Sequence, residues 1–108
     1  MIKFSSLEEV HAFINQNPQS FLYFSRKDCG VCHALLPKVE NLLKNFPNIA
    51  FGMIDVEKIR EASGDFSIFT VPALLFFVEG KEYIREARFV QMERLKEKLN
   101  KIVQLYEE

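Results

Sequence analysis

Cys29 and Cys32 are the only two cysteines in the chain and stand three residues apart as Cys29-Gly30-Val31-Cys32. At positions i and i+3 of a helix two side chains share a face, and their sulfurs can meet with little backbone movement. Such a pair suits a disulfide that opens and closes. At the first turn of a helix, free N–H groups and the positive end of the helix dipole favour a thiolate, which makes Cys29 the natural nucleophile. Cys32, one turn further in and more shielded, is then placed to attack a mixed disulfide and release the product. Arg26 and Lys27 add favourable potential for a thiolate, whereas Asp28 beside Cys29 opposes it. His33 reads as an exposed helix residue that would favour the thiolate when protonated.

Two other chemistries use the same letters. Cys29 to His33 spells C-x-x-C-H, the c-type haem attachment sequence, with two thioether links, His33 as proximal ligand and Met53 or Met92 opposite. The missing export signal and the strand-rich pattern oppose it, and a Soret band would reveal it. A zinc site would have to recruit His11 from a different segment, at a spacing unlike the common zinc modules. The expectation is therefore no metal and no cofactor other than the Cys29–Cys32 disulfide.

The chain that must position this pair has 108 residues, of which 48% are hydrophobic and 27% charged. That is enough for one self-sufficient core, and the whole of 1–108 reads as a single domain. A formal net charge of −1 gives no general attraction to nucleic acid or anionic membrane. No apolar run approaches the length of a membrane span, and Met1-Ile2-Lys3-Phe4-Ser5 lacks the form of a secretory signal. A cytoplasmic monomer is expected.

Ser6 and Glu9 have the form of a capping box ahead of a helix over 6–15. Residues 20–25 read as a buried strand. Val31, Leu35, Leu36, Val39, Leu42, Leu43 and Phe46 follow as one helical face, with Pro37 inside it and a kink expected near 33–37. A second strand is expected over 49–54, a short helix over 57–62, and a third strand over 71–78. The turn at Glu79-Gly80-Lys81 leads to an antiparallel fourth strand over 82–89. Met92, Leu95, Leu99, Ile102, Val103 and Tyr106 mark the apolar face of a last helix. With a short strand near 2–4, the order predicts an α/β architecture: a mixed sheet of four to five strands with helices on both faces.

Together, the 21–24 strand, the Cys-Gly-Val-Cys turn, Pro37 five residues after Cys32, Ile54-Asp55, Thr70-Val71-Pro72-Ala73 and Glu79-Gly80-Lys81 resemble the thioredoxin family over most of the chain. The resemblance implies a thioredoxin fold and thiol-disulfide oxidoreductase activity. It implies protein disulfide substrates and a separate reductase as partners. It further implies a cis peptide at Val71-Pro72, packed against Cys29 and Cys32, where the backbone before the proline pairs with substrate. The sequence also departs from the family. Tyr23 stands where a buried Asp is usual, Phe51 where a Lys is usual, Asp28 in place of a Trp, and Arg88-Phe89 in place of a glycine turn. Without a buried base the Cys32 thiol should attack more slowly near neutral pH. Tyr23 is expected to pack in the core, its hydroxyl free for a water or a proton. These losses leave a rival reading, a thioredoxin-fold interaction or redox-sensing module with little turnover.

Overall fold

Seven consecutive residues, Gln19–Ser25, form a strand that is buried at every position. In the computed structural model, which describes residues 1–108, this strand (β2) lies in the middle of a five-stranded sheet. On one side of it run β3 (Ala50–Asp55), parallel to it, and then β1 (Ile2–Lys3), parallel to β3. On the other side β4 (Ala73–Val78) is antiparallel to β2, and β5 (Lys81–Ala87) is antiparallel to β4. Four helices cover the faces: α1 (Leu7–Gln16), α2 (Gly30–Leu43), α3 (Glu61–Asp65) and α4 (Met92–Glu107).

Period-two alternation along β2 divides the core. Phe21 and Tyr23 join Val39, Leu42 and Phe46 from the α2 side and Leu95, Leu99 and Val103 from α4. Leu22 and Phe24 point the other way, into Val10 and Phe13 of α1 and Ile59, Ala62 and Phe66 around α3. Because both faces are covered, β2 and β4 read as continuous apolar runs rather than as alternating ones. No helix is long and apolar enough to cross a membrane.

Ser6 caps α1, its side chain accepting from the Glu9 N–H at 3.2 Å. The Glu9 carboxylate bonds the Ser5 N–H at 2.7 Å, one residue earlier than the reciprocal box requires. Ser6→Ala is expected to lower stability by about 1 kcal/mol, read as a lower urea midpoint at unchanged slope.

Several element boundaries differ from the sequence reading, most by a single residue, and three of the differences have a visible cause. The short helix begins at Glu61 rather than near 57, because the Asp55 side chain accepts from the Glu57 and Lys58 N–H groups at 2.9 and 3.3 Å and holds the chain in a turn. β4 starts at Ala73, after Pro72, which has no N–H to contribute to a ladder. β5 ends at Ala87 rather than Phe89, because Arg88 turns the chain with a φ of 68° and gives its N–H to the Pro72 carbonyl at 2.9 Å.

Candidate functional site

β2 ends at Ser25, and the exposed loop 26–28 leads directly into the cysteine pair. The Cys29 N–H bonds the Arg26 carbonyl at 3.3 Å, which closes a turn and delivers Cys29 as the N-cap of α2. It stands just outside the helix rather than within its first turn. Its Sγ accepts from the Cys32 N–H at 3.1 Å, the place that a serine or aspartate oxygen takes in a common N-cap. α2 has no acidic residue in its first turn, so no side-chain carboxylate there offsets the positive end of the helix facing Cys29. Cys29 and Cys32 form a disulfide. Cys29 retains 7% exposure and Cys32 none, so one sulfur lies at the mouth of the site and the other behind it.

Around the pair, Gly30, Val31 and Asp28 are exposed. His33 is exposed too, its Nε2 2.8 Å from the Lys27 carbonyl. A carbonyl only accepts, so Nε2 carries the hydrogen and ties the first turn of α2 back to the loop before the cysteines. Pro37 lies inside α2 and removes the N–H that would bond the His33 carbonyl.

Tyr23 is completely buried. Its hydroxyl donates to the Cys32 carbonyl at 2.5 Å, so the hydroxyl that the sequence left free for a water or proton is committed to the backbone of the second cysteine. Burial pushes the phenol up to about 12. Phe51 is half-buried, edge-on to Phe21 with ring centroids 5.8 Å apart. The peptide between Val71 and Pro72 is cis. Val71 is half-buried and packs against the core cluster that contains both cysteines.

The sequence profile described as thioredoxin matches residues 2–104. The chain belongs to the thioredoxin family. It is 49% identical over 102 residues to the thioredoxin-like protein YdfQ of Bacillus subtilis (strain 168), covering 94% of this chain and 91% of that one. It is 28% identical to the thioredoxin of Chlamydia pneumoniae, covering 94% and 98% respectively. The solved thioredoxin of Fasciola hepatica superposes with a TM-score of 0.84 at 27% identity, over 94% of this chain and 98% of that one. Plasmodium falciparum thioredoxin has the same fold at 22% identity, with a TM-score of 0.84 over 94% and 98%. A thioredoxin fold with a cysteine pair at bonding distance assigns the protein to the thiol-disulfide oxidoreductases.

Of the residues that the rival readings named, His11 is not brought to the cysteine pair. The two sulfurs are bonded to one another. His11 is in α1, whose buried face packs on the opposite side of the sheet, and its Nε2 is 2.7 Å from an Asp65 carboxylate oxygen.

Sequence reasoning missed Arg85. Its Nη1 and Nη2 donate to the Ser67 and Phe66 carbonyls at 3.1 and 2.8 Å, and its Nε and Nη2 donate to Glu82. The hydrogen bond to Glu82 is the main reason the guanidinium is held above its usual pKa. Residues three apart in a regular strand face opposite ways. Here a register shift pairs Phe77 with Glu82 and Phe76 with Ile84, so the extra residue Tyr83 bulges and turns Glu82 to the face of Arg85. Arg85 thereby fastens the loop that leads to Val71-Pro72.

Proposed function

We propose that this protein reduces protein disulfides, with Cys29 as nucleophile and Cys32 as resolving cysteine. The observation that carries the reading is the seat of the Cys29 sulfur at the α2 N-cap, receiving the Cys32 N–H, with Cys32 wholly buried behind it. In the dithiol form the same N–H and the same helix end favour a Cys29 thiolate. That thiolate attacks one sulfur of the substrate; the substrate S–S bond breaks, a Cys29–substrate bond forms, and the departing thiolate takes a proton. Cys32 then gives up its proton and attacks Cys29 Sγ. The Cys29–Cys32 bond forms and the second substrate thiol leaves. Two electrons have passed to the substrate, and a separate reductase must return two to the protein.

Val71 contributes a further part. Neither its N–H nor its carbonyl takes part in a backbone hydrogen bond, and it precedes a cis proline beside the core cluster of the cysteines. An extended substrate segment can pair there. Gly30 and Val31 are the exposed floor against which it would lie. Turnover in a reducing compartment such as cytoplasm fits the reductive direction.

Resolution should be slow near neutral pH. Tyr23 occupies the position of the buried base, its hydroxyl is bonded to a carbonyl, and a phenol pushed up to about 12 accepts no proton from a thiol at pH 7. The same observation favours the second reading, a binding or sensing module with little turnover. A stoichiometric experiment separates them. Reduced protein mixed with a protein disulfide is expected to release two substrate thiols per molecule while forming one Cys29–Cys32 disulfide, at a rate that rises with pH. Absence of released thiols over hours, at any pH that keeps the protein folded, would establish the module instead.

A further inference from the structure

Resting on the reductive reading, we propose that this protein selects disulfides whose cysteine is flanked by an apolar residue and, within a few residues, by an aspartate or glutamate. The groove that would read this pattern runs from Val31 along α2 to Phe89 and Val90 at the start of the last helix. It is an open recess of about 300 Å³ with Lys38 and Arg88 among its lining residues. Val31 is 61% exposed and Phe89 85% exposed, so the apolar part of the groove has no partner within the chain. Val31 is exposed in the first turn of α2, two residues after the Cys29 N-cap, so the groove begins at the end of the helix where a substrate bonded to Cys29 would sit.

The charge of the groove favours a carboxylate. Lys38 and Arg88 are both exposed and neither is in an ion pair, whereas the nearby cations Arg85 and Lys98 are matched to Glu82 and Glu86. Glu93 shares a neighbouring recess with Lys38 and Lys96, and makes no ion pair with either. The Arg88 guanidinium is held 5.8 Å from the Phe89 ring, with its N–H edge uncommitted. Arg88 also keeps a φ of 68°, a conformation that favours glycine. The apolar floor and the two free cations therefore match a peptide with a greasy residue and an acid.

The test uses three peptides with a cysteine in a mixed disulfide to one common small thiol, each with a leucine beside the cysteine and then Glu, Gln or Lys. With wild-type protein at low salt, kcat/KM is expected to be roughly tenfold higher for Glu than for Gln, about threefold from each cation, and lowest for Lys. The preference should shrink at high salt and disappear in Lys38→Gln/Arg88→Gln. Phe89→Ala should slow all three peptides alike. Equal rates for the three peptides would overturn the selection while leaving the reductive reading intact. If no peptide is reduced, the reductive reading fails, and a chemical-shift titration of the oxidised protein decides the groove. In that titration the peptides carry serine in place of cysteine. Tighter binding of the Glu peptide, with shifts at Val31 and Val90, supports it, and equal binding of all three overturns it.

Discussion

A reduced Cys32→Ser protein mixed with a protein disulfide is expected to stop as a covalent adduct on Cys29, and Cys29→Ser is expected to give neither adduct nor turnover. The asymmetry follows from access. Cys29 keeps 7% of its surface exposed while Cys32 has none, so on the proposed roles an incoming disulfide is attacked from Cys29. Once the adduct has formed, only a sulfur already inside the fold can reach Cys29 from behind, and serine cannot replace it in disulfide exchange. Turnover should fall by about a thousandfold or more in each variant, in line with the removal of a reacting group from a catalytic unit. Intact-mass measurement and a non-reducing gel distinguish the two variants. An adduct on Cys32 in the Cys29→Ser protein would show that the buried sulfur is accessible and would reverse the assigned roles. Neither substitution should unfold the chain. Serine is itself a preferred N-cap residue at position 29, and at 32 the helix backbone is unchanged.

Much of this arrangement was legible from residue order. The three-and-four spacing of apolar residues after Cys29 implied α2, and the apolar runs at 20–25 and 71–78 implied buried strands. Ser6 with Glu9 marked the start of α1. Contacts that depend on tertiary placement were not legible. The Tyr23 hydroxyl meets the Cys32 carbonyl only because α2 folds back across β2, and nothing in the spacing of nine residues announces it. Arg85 and Glu82 sit three apart in a strand and would face opposite ways without the bulge at Tyr83. The Asp55 side chain displaced α3 by competing for N–H groups that the helical pattern had assigned to the helix. Phe69 is 92% exposed in the loop that Arg85 fastens, where its residue type alone would have placed it in the core.

Tyr23→Phe is expected to lower stability by about 1–2 kcal/mol at neutral pH. The ring still fills its place, but a buried carbonyl loses a donor. Alkaline titration gives this residue a second signature. The folded phenol titrates at about 12, above the usual tyrosine value of 10.0, so the neutral form is the one the fold prefers. Its contribution is fully present below pH 10 and is lost as pH rises through 12, a change on the order of 2 kcal/mol. The stability advantage of wild type over Tyr23→Phe should therefore narrow between pH 10 and 12, as measured by urea midpoints of both proteins across that range. The redox chemistry should respond differently. A hydroxyl that donates to the Cys32 carbonyl and keeps its proton to about pH 12 takes no proton from the Cys32 thiol, so resolution of the mixed disulfide should keep the same pH dependence in both proteins. A resolution profile that shifts or flattens in Tyr23→Phe would make Tyr23 the proton acceptor after all. An unchanged profile with reduced stability assigns it to holding the backbone of the resolving cysteine.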